Sequence, residues 1–61
     1  MIKIGDIVRV KADHDYTIEQ KLIGKLAIVV VKGTWSADIS IIGDNSGWEP
    51  RIALEHLEVI A

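Results

Sequence analysis

The chain has 61 residues, a formal net charge of −2 and no cysteine. This length allows one domain, spanning residues 1–61, and the lack of cysteine excludes disulfides and thiolate metal sites. A net negative charge disfavours binding to a phosphate backbone, so nucleic acid is not the expected partner.

Aliphatic residues dominate the composition. Hydrophobic residues make up 49% of the chain, yet phenylalanine is absent and the aromatic residues are Tyr16, Trp35 and Trp48. Isoleucine, valine and leucine must therefore fill the core, which favours β-strands. Because so small a domain cannot bury every apolar side chain, we expect an adhesive apolar surface. Residues 1–4 lack the apolar region of a secretory signal, so we expect a cytoplasmic protein without membrane insertion.

The first strand is predicted at residues 7–11, where Val8 and Val10 share one face. Residues 12–23 break this alternation and gather charged side chains, which predicts a long loop. Within the loop, residues 17–20 have the spacing of a capping box, which is compatible with one turn of helix.

The most apolar run, residues 24–32, predicts a buried second strand. Side chains alternate between two faces in a strand, and here both faces are apolar. The two predicted sets are Ala27, Val29 and Val31 on the inner face and Leu26, Ile28 and Val30 on the outer face.

Three further elements are predicted in the C-terminal half. Alternation at residues 38–41 predicts a third strand with Ile39 and Ile41 inward. The turn residues at 43–47 predict a hairpin that leads to a fourth strand at residues 48–51, and Pro50 confines that strand to an edge or a terminus. A tight helical turn at residues 51–56 then precedes a last strand at residues 57–60.

These elements predict an all-β fold, a five-stranded small barrel with a long loop after strand one and one 3-10 turn before the last strand. The alternative is a flat meander that dimerises to cover its open face.

Two sets of motifs resemble SH3-like small β-barrels. Residues 5–10, Gly-Asp-Ile-Val-Arg-Val, and residues 24–29, Gly-Lys-Leu-Ala-Ile-Val, look like the first two strands of KOW-type modules. Residues 53–60 resemble the closing turn and strand of photosystem I subunit IV and of the variable chain of ferredoxin-thioredoxin reductase. These resemblances imply an SH3-like fold and an accessory role.

A second resemblance implies a different function. Trp35-Ser36-Ala37 and Gly47-Trp48-Glu49-Pro50 look like the Trp-x-Ala and Gly-Tyr-x-Pro elements of peptide-binding SH3 domains, where Trp and Pro line the ligand groove. The Ala-Leu-Tyr-Asp-Tyr motif and the second aromatic residue beside Trp35 are missing here. We predict that Trp35 is exposed and that Trp48 belongs to the core.

No catalytic or metal-binding constellation is visible in the sequence. Asp13-His14-Asp15 contains suitable metal ligands, but consecutive residues of an extended loop point in different directions and no second histidine lies nearby. The serines have no recognisable partnership with His14 or His56. We therefore expect that this chain is not an enzyme and that it uses no cofactor and no small-molecule substrate.

Three surfaces remain as candidates for partner binding. The leading hypothesis is a module that docks on a larger subunit or forms a homo-oligomer through Leu26, Ile28 and Val30, joined by Ile7 and Ile42. The second is a binder of extended or proline-containing peptides that uses Tyr16, Trp35 and Pro50, flanked by Asp13 and Asp15. The third is a KOW-like contact with nucleic acid or the ribosome through Lys3, Arg9, Lys11, Lys25 and Arg51.

Overall fold

In the part of the chain that the structure describes, five antiparallel strands and two short 3-10 helices make up the regular structure. The computed structural model describes residues 1–11 and 20–61. Its elements, in chain order, are β1 (Ile7–Val10), η1 (Gln20–Leu22), β2 (Leu26–Lys32), β3 (Ser36–Ile41), β4 (Arg51–Ala53), η2 (Leu54–His56) and β5 (Leu57–Val59). The predicted all-β class, the five strands and the 3-10 turn before the last strand are confirmed. The part of the long loop at residues 12–19 lies outside the described residues.

The strands form one sheet in the order β4-β3-β2-β1-β5. β5 pairs with β1, with Val10 opposite Leu57 and Val8 opposite Val59. A flat meander would place β5 beside β4, so the alternative fold derived from the sequence is wrong.

The link between β4 and β5 forces this sheet to curl. The two strands lie at opposite edges, and only the three residues of η2 join them. Even a fully extended chain from Ala53 to Leu57 spans at most about 14 Å. A flat sheet of five strands is about 19 Å wide between its outer strands. The edges must therefore approach each other, although β4 and β5 are not neighbours in the hydrogen-bonded order.

The inner face of the curled sheet encloses the hydrophobic core. All five strands and η1 contribute to it, and Ile39 is completely buried. The buried side chains among the described residues are Val8, Val10, Leu22, Ala27, Val29, Ala37, Ile39, Ile41, Ile52 and Leu57. The alternation predicted for β1 and β3 is confirmed.

A bulge in β2 changes the face on which its last residues lie. Val29 is opposite Ile39, but the next aligned pair is Val31 with Asp38, so two residues of β2 oppose one of β3. The prediction that Val31 points inward with Ala27 and Val29 is therefore wrong. Val31 is exposed and Val30 is half-buried.

The fourth strand begins three residues later than predicted. Pro50 has no N–H to donate, and its carbonyl accepts a hydrogen bond from Ile39 N–H at 3.0 Å just before the ladder of β4 begins. Trp48 consequently lies in the loop between β3 and β4 and remains 39% exposed. Its predicted place in the core is wrong because no strand directs it inward.

Trp35 lies at the tip of the β2–β3 hairpin. Gly33 N–H donates to Ser36 O at 2.8 Å, which leaves Thr34 and Trp35 as a two-residue connection. The Trp35 side chain is 84% exposed, as predicted.

Replacement of the most buried core isoleucine tests this architecture. Ile39→Ala removes fully buried methylene and methyl groups and should lower the free energy of unfolding by about 2–4 kcal/mol. Ile4→Ala removes the same atoms from an exposed position and should change the free energy by less than about 0.5 kcal/mol. Urea denaturation followed by circular dichroism, at one protein concentration, measures both. Equal effects of the two substitutions would contradict the described core.

Candidate binding surfaces

An apolar stripe crosses the outer face of four strands. Residues directly opposite each other on paired strands lie on the same face. Ile7 is opposite Ile28, Ile60 N–H donates to Ile7 O at 2.8 Å and Ile42 N–H donates to Leu26 O at 3.0 Å. We call Ile7, Leu26, Ile28, Ile42 and Ile60 the outer stripe. Ile7 is half-buried, and the other four side chains are between 39% and 51% exposed.

The structure thus brings together four of the residues predicted for this surface and adds a fifth. Sequence reasoning did not predict Ile60 for this surface. Its position there depends on the pairing of β5 with β1, which the alternation of Glu58 and Ile60 does not reveal. Val30 is not aligned with the outer stripe, because the bulge disturbs the register at that point.

Charges of both signs border the outer stripe. Arg9 lies opposite both Leu26 and Glu58, and its guanidinium is 4.0 Å from the Glu58 carboxylate. Across β3 and β4, Arg51 Nε donates to Asp38 Oδ1 at 3.0 Å. That hydrogen bond and the charge of Asp38 raise the pKa of Arg51 above its ordinary value.

These ion pairs bear on the nucleic-acid hypothesis. Of its five basic residues, Arg9 and Arg51 each face a carboxylate. Lys3, Lys11 and Lys25 are exposed. Partial neutralisation weakens the electrostatic attraction that binding to phosphates requires.

Of the residues in the peptide-binding hypothesis, the described pair Trp35 and Pro50 do not line a common cleft. Trp35 borders a cleft of about 490 Å³ whose other walls are Thr34, Ala53, Leu54 and Glu55. Pro50 is instead bonded to Ile39, four residues along β3 from Trp35, which corresponds to about 13 Å. Tyr16, Asp13 and Asp15 lie outside the described residues.

A further cleft forms beside Trp48, between η1 and the loop after β3. Its volume is about 580 Å³, and we call it the Trp48 cleft. Its lining residues are Lys21, Leu22, Lys25, Ile41, Ile42, Gly43, Asp44, Ser46 and Trp48. Sequence reasoning missed it because η1 and this loop are distant in sequence and Trp48 was assigned to the core.

Hydrogen bonds within the loop position Trp48. The Asp44 carboxylate accepts from Ser46 N–H at 2.9 Å and from the Ser46 hydroxyl at 3.0 Å. The Ser46 Oγ in turn accepts from Trp48 N–H at 3.1 Å. These hydrogen bonds from Ser46 are the main reason why the pKa of Asp44 lies below its ordinary value, and Lys21 lowers it further.

Other kinds of site were sought in the same part of the chain. Within residues 1–11 and 20–61, no group of three or more histidine, cysteine, aspartate or glutamate side chains is placed to hold a metal ion. The Asp13-His14-Asp15 sequence lies outside these ranges. No helix within them is long and apolar enough to span a membrane.

Comparisons with protein-family models, curated proteins and solved structures find no match to this chain.

The pKa of Asp44 provides a test of the loop. Its depressed pKa means that the ionised carboxylate stabilises the loop above the ordinary pKa of aspartate, and that this contribution disappears as pH falls through the lower value. Ser46→Ala removes the hydroxyl donor and should shift the Asp44 pKa upward. Carboxylate titration by NMR measures the shift. An unchanged pKa in Ser46→Ala would contradict the hydrogen-bonding scheme.

Proposed function

We propose that this chain is a non-catalytic interaction module with an SH3-like small-barrel fold, and that its outer stripe binds a second copy of the chain. The outer stripe is the observation that carries the proposal. The curled sheet and the 3-10 link before β5 support the proposed fold.

The outer stripe has the apolar character of a surface that is buried against a partner. Five aliphatic side chains from four strand regions form one continuous apolar path, whereas isolated exposed aliphatic residues are ordinary on protein surfaces. Burying a few hundred Å² of such surface contributes several kcal/mol at about 25 cal/mol per Å². That contribution must exceed the entropic cost of association, which favours a partner that covers the whole stripe.

The charges around the outer stripe favour a second copy as the partner. A two-fold interface requires that the surface be complementary to itself. Arg9 and Glu58 provide one cation and one anion on the same face, and both side chains are about half exposed. Their separation of 4.0 Å leaves each able to pair with the opposite residue of a second copy.

The edges of the sheet point to face-to-face association. β4 and β5, the two edge strands, have three residues each. Such short edges offer few backbone groups to a strand added from another chain. The outer face therefore has more to contribute to association than either edge.

Sedimentation equilibrium tests the proposal. Wild-type protein should show a concentration-dependent dimer, and Ile28→Glu should weaken it by at least about 100-fold, because each substitution occurs twice in a two-fold interface. Ile4→Glu, which alters an exposed residue outside the outer stripe, is the matched control. Circular dichroism establishes that each variant is folded.

Charge exchange provides the second arm of this experiment. Arg9→Glu should weaken the dimer by placing like charges together, and the double variant Arg9→Glu/Glu58→Arg should restore it. Wild-type protein that stays monomeric at every concentration would reject the second copy as partner, as expected if a different subunit covers the stripe. Equal effects of Ile28→Glu and Ile4→Glu would reject the outer stripe.

The exposure of Trp35 favours a second candidate function, the binding of extended proline-containing peptides. Its ring projects from a hairpin tip beside the cleft formed with Leu54 and Glu55, and rigid aromatic surfaces of this kind suit such peptides.

A proline-rich peptide should shift the Trp35 indole N–H resonance of the protein in a saturable manner. Trp35→Ala should abolish the binding, whereas Trp48→Ala should retain it because that ring lies in a different cleft. An NMR titration measures both effects. A Trp35 resonance that does not move at millimolar peptide would eliminate this candidate.

A further inference from the structure

The Trp48 cleft combines an apolar wall with an exposed aromatic ring. Leu22 and Ile41 form the buried part of the wall, and Ile42 and Trp48 present apolar surface to solvent. A large apolar side chain entering the cleft would contact aliphatic groups and the indole together. Such a pocket resembles the centre of a protein interface, where aromatic anchors contribute most to affinity.

Positive charge lies at the same place. The Lys21 ammonium is 5.0 Å from the centre of the Trp48 ring, which is a cation–π distance. Lys25 is exposed and also lines the cleft. Among the described residues that line the cleft, Asp44 is the one carboxylate, and it accepts two hydrogen bonds from Ser46. The described lining therefore carries two cations and one anion, in a chain whose net charge is −2.

The cleft is also largely preformed. The hydrogen bonds from Ser46 and Trp48 N–H hold the loop backbone, and Asp44 N–H donates to Ile41 O at 3.2 Å. Because these hydrogen bonds already hold the loop backbone, a ligand loses less free energy in organising that side of its site.

We propose that the Trp48 cleft binds a short segment of a partner protein in which a large apolar side chain lies next to a carboxylate. The apolar side chain packs against Trp48 and Ile42, and the carboxylate faces Lys25. A peptide is favoured over single-stranded nucleic acid because the described lining offers one aromatic ring for base stacking and the chain as a whole is acidic. This inference does not require self-association through the outer stripe, although the two surfaces share Ile42.

An NMR titration with defined probes tests the inference. The probes are a capped octapeptide, Gly-Glu-Leu-Phe-Asp-Glu-Leu-Gly, the same peptide with lysine at each acidic position, and an eight-nucleotide oligothymidine. The acidic peptide should shift the Trp48 indole resonance in a saturable manner and leave the Trp35 indole unmoved. The lysine peptide should bind at least about tenfold more weakly.

Variants assign the binding to the cleft without altering the outer stripe. Lys25→Glu should weaken the binding of the acidic peptide by at least about fivefold. Lys3→Glu, a charge reversal elsewhere on the surface, should weaken it less. Trp48→Ala should abolish binding, and Trp35→Ala should retain it. Lys25→Glu keeps the test valid if Trp48→Ala does not fold.

Three outcomes would overturn the inference. They are a Trp48 indole that no peptide shifts, equal binding of the acidic and lysine peptides, and tighter binding of oligothymidine than of the acidic peptide. Wild-type protein that stays monomeric in sedimentation but binds the acidic peptide would reject the second copy as partner of the outer stripe and would support the present inference.

Discussion

The three-residue connection between β4 and β5 is the constraint on which the structure depends. It joins strands from opposite edges of the sheet, so the sheet must curl until those edges are near each other. The curl turns one set of alternating side chains into a common interior. A chain of this length can bury residues such as Val8 and Ile39 completely only because the sheet covers its own inner face.

The same curvature creates the two surfaces to which functions are proposed here. The outer stripe exists because β5 is brought beside β1, which places Ile60 next to Ile7. The Trp48 cleft exists because η1 packs near the end of β3 and faces the following loop. Ile42 belongs to both surfaces, so a ligand that filled the cleft would also contact a residue of the outer stripe. The two proposed binding sites would therefore influence each other.

Polar groups organise the surface and contribute little to the interior, since none of the described polar or charged side chains is buried. Arg9 with Glu58 and Asp38 with Arg51 are cross-strand pairs on the exposed side of the sheet. Asp44 has a different role. Its carboxylate accepts a hydrogen bond from the Ser46 hydroxyl, and Ser46 Oγ in turn accepts one from the backbone N–H of Trp48. Exposed pairs of this kind add little to stability, but they determine which groups a partner meets.

The sequence by itself determined the local features of this protein. Alternation located β1 and β3, and the apolar run located β2 with Leu26 and Ile28 outward. These features follow from contacts between residues near in sequence. The tertiary structure decided the rest: the bulge that turns Val31 outward, the start of β4 after Pro50, the exposure of Trp48 and the place of Ile60 in the outer stripe. Each depends on which strands pair and in what register, and register is set by the packing of the whole core rather than by any single segment.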